Sequence, residues 1–420
     1  GEAAGDALTS GSDNTFVGDN AGGGTTTANS NVAVGTDALL VNSTGASNVA
    51  IGHLALDANT TASFITAVGE KALSANTTGE KNTAIGRAAL QATTTQSNNT
   101  ALGYNALSGG SNTGASNTAV GQDVLSGNTT GASNTSIGAA SLENNSTGSS
   151  NTAVGAGALD ANTTAGDNTA VGTNALGANT TGATNTAVGS GALDANTTAD
   201  SNTAVGTSAL GANTTGTLNT ALGTSAGVAN TTGNNNTAIG TLALGSNTTA
   251  DANTAVGSYA LNINTTGASN VAVGRLALQN NTTASNNTAV GLQALKANTT
   301  GADNVAVGTN ALLANTTASN NTSVGAESMD ANTTGEQNTA MGKSSLGANT
   351  TGNYNVAYGA YSLDANTTGT ENTSVGYQSL TRATTGSYNV ALGSKAADEV
   401  TTGDYNVALG RSALRAVTTA

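Results

Sequence analysis

Apolar and polar positions follow one fixed order along this chain, and the order returns every seventeen residues. The segment NTAVGTNALGANTTGAT, Asn168 to Thr184, stands for the rest. Anchored on its first asparagine, repeats begin at Asn14, Asn31, Asn48, Ile65, Asn82 and Asn99, resume at Asn117, and run every seventeen residues to Asn406. That makes 24 repeats with one single-residue insertion, near Gly109 and Gly110. Positions below are counted from 1 at the leading asparagine.

Four positions are strict. Position 1 is Asn in 23 repeats, position 5 is Gly in all 24, position 9 is Leu in 20, and position 14 is Thr in all 24, from Thr27 to Thr419. Positions 6, 7, 10, 16 and 17 vary freely and carry most of the charge. Read with period two, positions 1 to 5 predict a short β-strand. Thr or Val at position 2 and an aliphatic residue at position 4 share one face, and the small residue at position 3 takes the other. A glycine never replaced at position 5 implies a positive φ or a close backbone approach that ends the strand. Positions 8 to 11 predict a second short segment, and NTTG turns the chain back. The recurring Asn-Thr pairs and the strict glycine disfavour helix.

The expected architecture is all-β: a parallel β-solenoid (a β-roll) with one 17-residue coil per repeat, stacked about 4.8 Å apart. Residues 1–13 read as the tail of a partial, degenerate repeat, and residues 14–420 as a continuous array in a single solenoid. Neither end shows the polar cap that usually closes such an array, so a segment of a longer array or a subunit stacked end to end is expected. In the coil from Asn168, a structural ladder is expected at Asn168, Gly172, Leu176 and Thr181. Val171 and Leu176 fill its interior, and Thr181 is buried against the turn backbone. One Leu and one Val-like residue per coil bury little apolar surface against the entropy of ordering seventeen backbones. Stacked backbone bonds, side-chain ladders and contacts between copies of the chain are therefore expected to contribute.

Composition narrows the function classes. Aromatics are 2% and charged residues 8% of the 420 residues, with no Pro and no Cys, so thick globular cores and disulfides are excluded. The formal charge of −14 and ten scattered basic residues argue against nucleic acid as a partner. No apolar run approaches the length of a membrane span.

The motif N-x-A-[VI]-G-x-x-[AS], followed by a later Ala and Gly, is clearest at Asn168–Gly172. It resembles the head repeats of YadA-type trimeric autotransporter adhesins, and similar repeats occur in phage tail-fibre-like proteins. The likeness covers nearly the whole chain, although the family repeat is about three residues shorter in its second half. The resemblance implies a left-handed parallel β-roll, three chains about one axis, and a place outside the cell or on a virion fibre. No neck, stalk or anchor motif accompanies it. A self-associating fibre, as a homotrimer or an end-to-end filament, with a host surface or matrix ligand as a further partner, is the expected function. No enzyme activity and no cofactor are expected.

Residue chemistry offers few competing readings. His53, the single histidine, stands at a variable position. Asp160 and Asp194 are scattered carboxylates from which a metal site would have to be built. Eighteen repeats read N-[ST]-T from position 12, so Asn162, Asn179, Asn196 and Asn213 are candidate glycosylation sites of a filament-forming glycoprotein. Thr25, Thr93, Ser111, Ala383, Val400 and Val417 replace that asparagine, which marks it as a replaceable turn residue. The Thr pair at positions 13 and 14 is a candidate ice-binding row. Tyr354, Tyr388 and Tyr405 share position 17 and form a candidate contact ridge.

Overall fold

The computed structural model describes residues 1–110 and 112–415; the readings placed on Ser111, Val417 and Thr419 lie outside the described residues. The chain is an all-β parallel β-solenoid, one coil per 17-residue repeat, with no helix among the described residues. It divides into two compact units, Gly1–Thr215 and Gly216–Ala420. The first holds strands β1 (Thr15–Val17) to β12 (Thr203–Val205), and the second β13 (Thr220–Leu222) to β24 (Val407–Leu409). Within each unit every strand pairs in parallel with the strand of the next coil. In the first unit β10 (Thr169–Val171) lies on β11 (Thr186–Val188) with Thr169 opposite Thr186, Ala170 opposite Ala187 and Val171 opposite Val188. Residues 1–13 follow the coil path: Gly5 N–H bonds the Ala21 carbonyl, and Thr9 N–H bonds that of Thr26.

The strand turns the other face inward from the one expected. Ala170 is fully buried, whereas Val171 is half exposed. Leu176 and Ala175 fill the interior opposite. Three coils show how narrow that space is. Where position 3 is Ser, position 8 is Ser as well, and in one coil the Ser136 and Ser141 hydroxyls meet at 2.6 Å. In another, Ser323 donates to the Ser328 carbonyl at 2.8 Å. Positions 3 and 8 thus face each other across a narrow gap that holds small side chains in nearly every coil, Val124 at position 8 being the one β-branched aliphatic buried there. Phe16 is the one large residue at position 3, and its ring lies over Gly5 and Gly22, where other coils carry the position-9 leucine.

The second expected strand is a left-handed turn. Asn174 and Leu176 have φ of 54° and 53°, and Thr184 closes the coil with φ of 58°. A leucine in this region costs roughly 1–2 kcal/mol. Complete burial of its side chain, about 1.5–3 kcal/mol, offsets that strain. The turn is still tied to its neighbour: Leu176 N–H bonds the Ala192 carbonyl, and Ala178 N–H that of Asp194, both at 3.0 Å. Gly172 has φ of 138°, and a Cβ there would lie 2.5 Å from the Gly189 oxygen, so both reasons for a strict glycine hold at once.

Two buried asparagine ladders set the register. At position 1, Asn168 N–H bonds Asn151 Oδ1 at 3.0 Å, and Asn168 Oδ1 accepts Asn185 N–H at 2.9 Å. At position 12, Asn179 Nδ2 donates to Asn162 Oδ1 at 3.2 Å, and Asn196 Nδ2 donates to Asn179 Oδ1 at 2.8 Å. Both ladders converge, because Asn168 Nδ2 and Asn179 Nδ2 each bond the Gly182 carbonyl at 2.9 Å. The insertion is absorbed outside this frame. Asn112 occupies the position-12 ladder, donating to Thr93 Oγ1 and accepting from Asn128. The sequence register had put Ser111 there. Thr113 then makes the bond typical of position 13, to the Thr129 carbonyl, so this coil has one hydroxyl residue there where the others have two.

Gaps in the second ladder leave orphans. Asn76 Oδ1 faces Thr93, and Asn366 Oδ1 faces Ala383; both oxygens are buried without a partner. Thr93→Asn restores a donor to Asn76 and keeps an acceptor for Asn112. It is expected to stabilise the first unit by about 1 kcal/mol. Asn179→Ala strands two neighbours and is expected to cost about 2–4 kcal/mol. Urea unfolding of both variants measures the two signs.

Candidate functional site

With the interior committed to Ala, Leu and paired amides, functional chemistry is confined to the outside of the coil. The strand supplies one outer face. Position 4 lays an aliphatic row along it, exposed at Ile51, Ile85 and Leu102 in the first unit and at Leu222, Leu392 and Leu409 in the second. Position 2 adds a parallel row of half-buried Thr and Val.

The expected ladder set is redistributed. Asn168, Gly172 and Leu176 lie inside or at the tight corner of the coil. Thr181 is exposed, and among the described residues its hydroxyl has no protein partner. The bond expected of it belongs to Thr180, whose Oγ1 donates to the Thr197 carbonyl at 3.0 Å. The two threonines therefore do not form a paired surface: the hydroxyl of the first is consumed by the ladder and only the second faces water. This removes one of the two rows on which the ice-binding reading rested.

The candidate glycosylation sites are inside. Asn162, Asn179, Asn196 and Asn213 are fully buried. Nδ2 of Asn162 is engaged by Asn145 and the Ala165 carbonyl. A sugar on Nδ2 would replace a donor and occupy the neighbouring coil, so N-[ST]-T is a coil motif rather than an acceptor signal. The sequence held a sign of this. Ala383 and Val400 replace the asparagine in consecutive coils, and both are fully buried, so a polar ladder gives way to an apolar one.

Position 17, by contrast, is a corner that projects outward in the left-handed conformation. Tyr354, Tyr388 and Tyr405 stand there with φ of 58°, 61° and 60°. Their exposures are 54%, 42% and 74%, which makes them surface groups despite their size. Tyr388 and Tyr405, on consecutive coils, stack with centroids 4.9 Å apart and planes 3° from parallel. Tyr354 is two coils away from Tyr388, and Glu371 holds the same corner between them. The Glu371 carboxylate pushes the Tyr388 phenol pKa up, chiefly by its charge and also by accepting its hydrogen bond. Between Tyr354 and Glu371 lies an open recess of about 420 Å³, with Thr373 of the strand face as its third wall.

The remaining chemistry is dispersed. His53 is exposed. Asp160 and Asp194 sit on either side of Gly177, and no cluster of three or more metal-ligating groups occurs among the described residues. A search of protein-family models and of curated proteins finds no match to the chain.

Position 10 does produce one electrostatic feature. Asp330 and Asp364 flank Gly347 from the coils on either side. Burial raises the pKa of Asp330, with the Glu327 charge adding to it. Burial and then the Asp330 charge raise that of Asp364. With folded pKa values above the unfolded one, the native state binds protons more readily. The destabilisation is present when both groups are ionised and is lifted as pH falls through the raised values. The pair Asp330→Asn and Asp364→Asn is therefore expected to raise the urea midpoint of the second unit at pH 7. Below the ordinary carboxyl value of 3.8 the gain should vanish.

Proposed function

We propose that this chain is a non-catalytic structural repeat protein that self-associates into a rigid extracellular fibre of the adhesin-head or tail-fibre-shaft kind. One observation carries the reading: the aliphatic row at position 4 lies half exposed to exposed on the outer strand face and recurs in nearly every coil. A strip three residues wide and twelve coils long offers roughly 600 Å² per unit, close to the ~800 Å² per partner of a stable interface. Because the strip has one spacing throughout, a second copy matches it better than any irregular partner does. The resemblance to YadA-type heads supports three copies about one axis and a place outside the cell. It also supports a host surface or matrix ligand along the fibre. The absence of a catalytic constellation in the sequence supports a display role.

Sedimentation equilibrium tests this. The expected mass is a multiple of the 40.0 kDa chain, three for the homotrimer and an open series for a filament. Val273→Lys with Val290→Lys, at two half-exposed position-4 sites, should return it to 40.0 kDa without loss of β signal. A chain that sediments at 40.0 kDa before any substitution overturns the reading.

A further inference from the structure

The position-17 corner of the second unit has a chemistry of its own. Its recess has one aromatic wall, Tyr354, one carboxylate wall, Glu371, and one hydroxyl, Thr373. An aromatic face attracts positive charge, and a carboxylate accepts hydrogen bonds without donating any. The charges nearby agree in sign. Glu336 stands at position 16 of the coil before that of Tyr354 and Asp404 at position 16 two coils after that of Glu371, and the seven basic residues of this unit all lie at positions 6, 7, 10 and 11. No Lys or Arg side chain of the unit shares the Tyr corner, so the field at the recess is negative.

The first unit shows how an acid and a ring on this scaffold engage a cation. Glu70, Arg87 and Tyr104 occupy position 6 of three consecutive coils. The Arg87 guanidinium lies 5.6 Å from the centre of the Tyr104 ring, and its Nε is 3.3 Å from Glu70. Acid, cation and ring thus stack along the coil direction on an exposed surface. At position 17 of the second unit the ring and the acid are present on adjacent coils, and the chain supplies no cation between them. On the far side of Glu371, the Tyr388 and Tyr405 rings stack on each other.

We propose that the recess between Tyr354 and Glu371 is a binding site for a guanidinium group, which stacks on the Tyr354 ring and donates to the Glu371 carboxylate. The group is either a free small guanidinium or an arginine side chain of a polypeptide. Thr373 sits where a third N–H of the same planar group can be accepted. The site stands on one chain alone and does not require assembly.

The full chain, with ¹³C-labelled tyrosine rings, is titrated with methylguanidinium and, separately, with a short unstructured peptide bearing one arginine. The citrulline version of the peptide, uncharged and of the same shape, is the control. A saturable shift of the Tyr354 resonance is expected in the millimolar range for so exposed a cation–π contact. In Tyr354→Leu, which lacks that reporter, the saturable shift of the methylguanidinium methyl signal should be lost; the Tyr354 shift should be weakened about tenfold in Glu371→Gln, while Tyr104→Leu leaves it unchanged. All three side chains are exposed, and the Tyr388 resonance reports that the corner remains folded. Binding of methylguanidinium alone identifies a free cation as the occupant, and tighter binding of the peptide identifies a basic chain. No saturable shift with either probe, equal affinity of Glu371→Gln, or equal binding of the citrulline peptide overturns the proposal.

Discussion

A primary amide shut away from water must find a partner for each of its donors and acceptors, and this fold meets that demand by stacking one amide on the next. Positions 1 and 12 both carry buried asparagines, and both send an Nδ2 proton to the same carbonyl, that of Gly182 in the coil from Asn168. Slipping one coil by a single residue would set an amide against Ala178 or Thr180 and strand several polar groups at once. The seventeen-residue period follows from this penalty more than from apolar burial, which is thin. The insertion near Gly109 obeys the same constraint: Asn112 keeps the ladder.

How much of this could be read beforehand depended on whether a residue's role shows in its identity. The repeat, the strict glycine, the buried leucine and the parallel stacking of coils were legible, because Gly172 and Leu176 are typical of the places they occupy. Three features were not. Val171 and Ala170 alternate as in any strand, and β-propensity favours burying Val; the width of the interior reverses the choice, and only the matched serines at 136 and 141 hinted at it. Left-handed leucine is rare enough that no propensity argument suggests it, although Gly22 and Gly227 at the same position are its trace. Asn179 appeared dispensable because others replace it, whereas substitution there changes the ladder's character over neighbouring coils. The aromatic corner was visible as a set of residues, but its recess depends on Glu371, whose position between two tyrosines matters only once coils are stacked.

The division of labour between inside and outside shapes what such a chain can do. Every interior group answers to the coil above and below, so variation is pushed to positions 6, 7, 10, 16 and 17. Side chains placed there recur at the coil spacing whenever the same residue is used twice, as Tyr388 and Tyr405 show. Part-buried acids repeated at position 10 act on one another by charge, as Asp330 does on Asp364. The scaffold thus converts sequence differences between repeats directly into a linear arrangement of surface groups, without altering the backbone that carries them.

One property of the ladders reaches beyond a single coil. In both, the later coil donates and the earlier one accepts: Asn185 N–H to Asn168 Oδ1, and Asn196 Nδ2 to Asn179 Oδ1. The amide dipoles therefore all point one way, and each unit has a polarity. Backbone N–H and C=O groups cross between coils in both directions, but a break in either ladder leaves Oδ1 acceptors on the earlier coil and N–H donors on the later one. Two ladder ends of the same kind have no bond to offer each other, so the ladders continue only where coils are joined in the direction in which the chain is written.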